Sequence, residues 1–332
     1  KDSVIDRLLE AASSQIERQT KRLFVPKTQT RLYRYPPHET GRSDWLWLDE
    51  DLISVTTLQS KAQDSSPTTI AAADYFLEPN NSGPPYNRIE IDLSSSAALE
   101  SGATPQRSIS VLGSWGYNNA TRTGGTVSSG LASDAAATSM VCSDASLIDV
   151  GDQLLIQSEQ VRVTDQSFAA LGSILVNDAG ITADITDITI TVDASHGVVK
   201  GEIVRLDSEE MLVTGVSGNV LTVLRAWNGT TLASHADDTA VHINRTLTIV
   251  RGVNGTTAAT HANSTAISVY DPPKDIVELC LAEAIAAFHQ EQGGWGRVIG
   301  SGEGQREFNG RALGDLREEV VKHYRRYRYA AV

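Results

Sequence analysis

Cysteine is nearly missing from this 332-residue chain: Cys142 and Cys280 are the two present, which excludes a disulfide framework and a multi-cysteine zinc site. Long apolar runs are missing too. None approaches the roughly 18 residues of a membrane span, and the opening KDSVIDRLLEAASS is too charged for a signal peptide. A soluble protein that folds in a reducing cytoplasm is expected, with no membrane partner. Basic residues are scarce, 28 Lys and Arg against 41 Asp and Glu, a net charge of −13. Residues 125–270 hold 16 acidic against 6 basic side chains, so −10 of that charge sits in less than half the chain. Nucleic-acid readers carry a basic footprint; specific DNA binding is therefore not expected, whereas an acidic wall suits DNA that must slide. The chain also lacks HExxH, CxxC, a G-x-S-x-G elbow and a P-loop. The cluster Gly300-Ser301-Gly302-Glu303-Gly304 has neither the strand nor the lysine that would hold a phosphate. Neither an enzyme nor a cofactor or metal is expected.

What is present begins with one long helical segment, Asp271 to Glu291, DPPKDIVELCLAEAIAAFHQE. Asp271 suits an N-cap, and Pro272 and Pro273 fit at a helix start, where a missing N–H costs nothing. Ile276, Val277, Cys280, Leu281, Ala284, Ile285 and Phe288 recur at three- and four-residue spacing, with Asp275, Glu278 and Glu283 on a polar face. Burying a side chain such as Ile276 or Phe288 is worth roughly 1.5–3 kcal/mol, and Ile276, Cys280 and Phe288 are assigned to the core. A first helix is marked by Val4, Ile5, Leu8, Leu9, Ala12 and Ile16. A last one, Arg311 to Arg328, carries Leu313, Leu316, Val320, Val321 and Tyr324 on its apolar side and ends in KHYRRYRY. Between the last two helices lies a glycine-rich loop, QGGWGRVIGSGEGQREFNG. Short strands are expected near Trp45–Leu48, Ile53–Leu58, Ala73–Pro79, Arg88–Leu93 and Arg107–Leu112, the last leading into Gly113-Ser114-Trp115-Gly116-Tyr117. Trp115 and Tyr117 are expected to pack, since large aromatics at a strand end seal it against a helix.

After Tyr117 the composition turns to Ala, Ser, Thr, Gly and Asp, and the period of two replaces helix until Tyr270. Repetition is visible here. GDQLLIQSEQVRVT from Gly151 aligns with GEIVRLDSEEMLVT from Gly201 at an offset of 50. LTVLRAWNGTTLASHADDTAVHI from Leu221 aligns with LTIVRGVNGTTAATHANSTAISV from Leu247 at an offset of 26, with 12 of 23 positions identical. The order A, A′, B′, B fits one β unit nested inside another, and also a row of tandem hairpins; nesting is slightly favoured. His235 and His261 occupy equivalent positions, where a structural role in a turn outweighs a metal site. Asn228-Gly229-Thr230 and Asn254-Gly255-Thr256 are formal sequons, and Asn-Gly is also a hairpin signal.

Taken together, LLEAASSQIERQTKRLF, the stretch near Trp47, DYFLEP, SGPPYNRIEI, SISVLGSWGY, PPKDIVELCLAEAIAAF and LREEVVKHYRRYR resemble the head-to-tail connector (adaptor) family of long-tailed bacteriophages. The resemblance covers about residues 1–122 and 271–332; in that family a Pro and the next helix follow the W-G-Y strand within a few residues, whereas here about 150 intervene. It implies an α+β protein: a small helical connector core with a short β element (1–122, then 271–332 with a C-terminal helical arm), plus an inserted all-β domain of repeated β units (123–270). It implies a structural virion protein of the capsid–tail neck, made in the host cytoplasm and assembled as a homo-oligomeric ring, usually a dodecamer. Such a ring docks on the portal protein, extends the channel through which dsDNA passes at ejection, and offers a surface to the stopper or tail terminator. The partner of the insert stays open between neck decoration, fibre attachment and capsid contact. Lys322, Tyr324, Arg325, Arg326, Tyr327 and Arg328 are the candidate portal-binding residues, since Tyr and Arg dominate interface hot spots.

Two rival readings remain. A β-rich surface or secreted binding module, Ig-like or a small-barrel adhesin, accounts for the repeats and ignores the flanks. A polysaccharide-degrading enzyme needs paired carboxylates in an aromatic cleft; Asp207, Glu209 and Glu210 are candidates, but strand alternation puts Asp207 and Glu209 on one solvated row.

Overall fold

The computed structural model describes residues 2–35, 43–132, 134–177, 179–193, 196–292, 298–299, 306–307 and 311–326. The chain divides into two units, Lys1–Ala120 with Asp271–Val332, and Thr121–Tyr270.

The first unit contains helices α1 (Asp2–Thr20), α2 (Lys274–Gln292) and α3 (Arg311–Tyr324) and strands β1 (Lys27–Tyr33), β2 (Trp45–Ser60), β3 (Thr68–Ile70), β4 (Tyr75–Glu78), β5 (Tyr86–Ile91) and β6 (Ile109–Trp115). The strands form one antiparallel sheet in the order β1-β6-β2-β5-β4, with β3 paired to β2. Alternation decides its inner face: in β6 every second residue from Ile109 to Trp115 is buried. Leu46, Leu52, Ile89, Val111 and Trp115 join in one cluster, and the Trp115 indole N–H donates to the Gln29 carbonyl at 2.9 Å. The expected small helical core with a short β element is overturned: among the described residues 40% are strand and 21% helical, with three α-helices. The separate strand signals unite because each contributes the same buried face, so the sheet has a hydrophobic core of its own.

Helix α1 runs antiparallel to α2, with Arg7 near its start paired to Glu291 near the end of α2 at 2.7 Å. Leu8, Ala12 and Ala284 pack together, with Cys280 and Phe288 partly buried against them; Ile16, Phe24, Ile276, Leu279, Val320 and Tyr324 form a second cluster that Tyr117 joins. The face of α2 differs from the expected one. Leu279 is buried, Leu281 and Ile285 are 45% and 56% exposed, and Glu283 turns inward to Arg317 of α3 at 2.6 Å. Two flanking helices set which side is covered, and the ion pair compensates the buried carboxylate. The last helix stops at Tyr324 rather than Arg328.

The second unit contains β7 (Thr121–Ser129), β8 (Ser139–Cys142), β9 (Gln153–Ile156), β10 (Glu159–Ile174), β11 (Thr189–Thr191), β12 (Ile203–Leu206), β13 (Glu209–Ser217), β14 (Val220–Leu224), β15 (Ala240–Val250) and β16 (Ala266–Tyr270). Its pairings close twice. One ring runs β10-β9-β16-β7-β8-β15 and returns to β10; the other runs β10-β15-β12-β13-β14-β11 and returns through the Leu175–Val192 bridge. Each six-stranded barrel has its own core, Val127 to Val163 with Leu247 to Val269 in the outer one and Leu175 to Ile243 in the inner one. The long strands β10 and β15 pair along their lengths and belong to both barrels. The repeats are thus nested, not tandem. In the inner barrel Ser217 pairs with Val220 across a Gly218-Asn219 turn, and in the outer barrel the equivalent Ser167 pairs with Thr246, with the whole inner barrel in place of that turn. Asn228-Gly229 and Asn254-Gly255 lie in single 3₁₀ turns with left-handed asparagines (φ 53° and 54°), not at hairpin tips.

Candidate functional site

The residues assigned to the portal contact fall in different settings. Lys322 and Arg325 are exposed. Tyr324 is buried edge-on against Phe24 and Tyr117 at 5.6 and 5.4 Å between centroids, and its hydroxyl donates to Asp275 at 2.9 Å. Burial, with the Asp275 bond and charge, pushes that phenol up to about 12. Tyr327 and Arg328 lie outside the described residues.

Arg326 belongs to a network around three consecutive acids of β2. Its backbone N–H donates to the Thr20 carbonyl (2.8 Å), and its guanidinium reaches the Leu48 carbonyl (3.0 Å), Glu50 (3.3 Å) and Asp51 (3.5 Å). Arg22 joins Asp51 (2.6 Å) to the Tyr324 carbonyl (2.5 Å) and lies over the Tyr117 ring, and Arg31 binds Asp49 at 2.8 Å. Burial pushes the Glu50 carboxyl up, against the pull of Arg31 and Arg326. Asp49-Glu50-Asp51 therefore draws one arginine from each of three segments, which fastens the chain beyond α3 to the sheet.

The other concentration of charge lies inside the barrels, and strand alternation misplaced it. Glu209 is fully buried, while Asp207 sits in the β12–β13 turn with its side chain 66% exposed. Arg225 grips Glu209 with two bonds of 2.7 and 2.8 Å. The backbone N–H groups of Ala226 and Ala233 donate at 3.0 Å, and His235 Nε2 donates at 2.9 Å. The outer barrel repeats this around Glu159, with Arg251 at 2.7 and 2.6 Å, Gly252 and Ala259 N–H at 3.1 and 3.0 Å, and His261 Nε2 at 2.8 Å. Burial alone would push both carboxyls up, but the arginine, histidine and backbone donors bring each down to about 2. Five donors occupy the oxygens of each carboxylate, so neither is poised to take a proton from a substrate. Both histidines are consumed in the same way, His235 also by Asp207 at 2.7 Å and His261 by Gln157 at 3.1 Å. These are the braces that hold the Arg-x-x-Asn-Gly-Thr loops onto the barrels. The signal that would have found them is in the repeats: Glu, Arg and His are the charged or titratable residues retained in both copies on otherwise apolar or small-residue stretches.

Trp115, Ile276 and Leu279 are buried, and Tyr117, Cys280 and Phe288 partly so; none of these lines a cleft of reactive groups. No family model matches this chain, and neither the curated proteins nor the solved structures offer a match.

Proposed function

We propose that this chain is a structural head-tail connector of a long-tailed bacteriophage, a ring-forming adaptor that docks on the portal and lengthens the DNA channel. One observation carries the reading. The stretches that bear the resemblance lie on both sides of a 150-residue unit, yet their residues meet in a single cluster: Ile16 and Phe24 from the first, Tyr117 after the W-G strand, Ile276 and Leu279 from PPKDIVELC, Val320 and Tyr324 from LREEVVKHY. The helical core that the resemblance implied is not what supports this reading; the joining of these segments in one body is.

Two features of the first unit suit a ring. Leu281 and Ile285 leave an apolar strip on α2, and in a ring one face of a subunit meets a different face of the next. Exposed Lys322 and Arg325 remain for the portal, whereas Tyr324 and Arg326 hold the fold. The test is electron microscopy of the purified chain, alone and after incubation with tailless, DNA-filled capsids. Rings of about a dozen copies, or density added beneath the portal, are expected. Elongated monomers that leave capsids unchanged would reject the connector and favour the surface-module reading.

A further inference from the structure

Each barrel carries one Asn-Gly-Thr loop, and Asn-Gly is a pair open to attack by the chain on itself, because glycine has no side chain to shield the backbone nitrogen next to the asparagine amide. In both copies the fold holds the reacting atoms apart. Asn228 (φ 53°, ψ 24°) and Asn254 (φ 54°, ψ 32°) are left-handed, and this ψ turns the glycine nitrogen away from the side chain, out of reach of Cγ. The side chains are held as well: Asn228 Nδ2 donates to Glu210 Oε2 and Asn254 Nδ2 to Gln160 Oε1, each at 2.8 Å. The loops differ in that acceptor. Glu210 is a carboxylate where the outer barrel has a neutral amide, and Asn228 is exposed where Asn254 is half-buried. Arg205, the cross-strand neighbour of Glu210, lies with its guanidinium over the Phe168 ring at 4.6 Å.

We propose that Asn228-Gly229 is a self-modification site, and that its reaction keeps the tip of the inner-barrel loop from reclosing. When local opening lets ψ rotate, the Gly229 nitrogen attacks Asn228 Cγ. The Cγ–Nδ2 bond breaks, the proton of the Gly229 N–H leaves with the amide as ammonia, and a succinimide ring closes. Water then adds across one of the two ring C–N bonds, giving aspartate or isoaspartate, and nothing is oxidised or reduced. Either product puts a carboxylate where Nδ2 had donated. In the inner barrel it meets Glu210, so that a donor is replaced by a second acceptor and two like charges face each other. In the outer barrel the same product faces Gln160, which carries no charge. Isoaspartate lengthens the backbone in either loop; the repulsion is confined to the inner one.

The full chain is held in warm, mildly alkaline buffer, folded and in denaturant, and conversion at both asparagines is followed by mass spectrometry of proteolytic peptides. Conversion at Asn228 should be at least about tenfold slower in the folded chain; equal rates would remove the gating by the turn. The charge argument is tested with Asn228→Asp and Asn254→Asp as stand-ins for the product. Asn228→Asp should lower the melting temperature more than Asn254→Asp, and the difference should shrink in high salt. Adding Glu210→Gln, which copies the outer barrel's pair, should remove most of it, and Glu210→Gln alone is the folded reference. Equal losses at the two positions, or a loss that Glu210→Gln does not relieve, would overturn the proposal. If Asn228→Asp fails to fold, recovery of the fold on adding Glu210→Gln decides the same question. None of these outcomes depends on the connector reading.

Discussion

Glu159 and Glu209 show at the level of single residues how a buried charge is tolerated: five hydrogen bonds each, two of them from an arginine. Removing one partner leaves an uncompensated charge, so Arg225→Ala should cost about 3–5 kcal/mol, read as a lowered denaturation midpoint. The pH dependence follows from the direction of the shift. Both folded carboxyls titrate at about 2, below the ordinary 4.5, so their contribution is complete above about 4.5 and is lost as pH falls toward 2. Each should contribute on the order of 3 kcal/mol to that loss. Melting temperatures measured from pH 6 to pH 2.5 should therefore drop steeply below about 4.5, and Glu209→Gln should flatten the slope while lowering the plateau. An equally steep slope in that variant would assign acid sensitivity to other groups. In the first unit, Trp115→Ala removes a fully buried indole and its bond to Gln29. A loss of about 3–5 kcal/mol is expected, and an unchanged melting temperature would contradict the packing role.

At the scale of elements, the hairpin between β10 and β15 is the joint of the second unit. Ser167 and Thr246 are paired as Ser217 and Val220 are, and Gly218 takes a left-handed φ of 57° in the short turn of the inner copy, which glycine adopts without strain. Replacing Phe168–Arg245 by Gly-Asn should leave the outer barrel folded. Hydrogen exchange should still protect Val161, Val163, Leu247 and Ile249, which lie in the outer core. Loss of protection across β7, β8 and β16 would show that the two barrels fold only together. The repeats were legible because they recur at constant offsets, yet their order A, A′, B′, B allowed both nesting and tandem hairpins. Pairing partners 66 to 88 residues apart in β10 and β15 decided between them, and local sequence carries no record of which strand a strand will meet. Alternation likewise failed at Asp207 and Glu209, because a left-handed residue at Asp207 (φ 50°) turns the chain between them.

For the whole molecule, the Asp271 N–H donates to the Ala120 carbonyl at 2.9 Å, so the ends of the first unit's two segments already touch. Deleting Thr121–Tyr270 and joining Ala120 to Asp271 through a short Gly-Ser linker should leave a folded protein with its helices and sheet. A molten product, judged by lost near-ultraviolet dichroism, would show that the first unit depends on the second. By itself the sequence determined the helices, through their three- and four-residue spacing; the change of composition after Tyr117; the duplication; and the burial of Trp115 and Ile276. These are properties of short windows, set by backbone periodicity and side-chain transfer from water. The tertiary structure alone decided that scattered strands make a six-stranded sheet with its own core, that Glu283 faces inward, that Arg326 is spent on Asp51 and Glu50, and that two barrels share β10 and β15. Each of those depends on a partner far away in the chain, and burial of a charge or closure of a sheet is favourable only once that partner is in place.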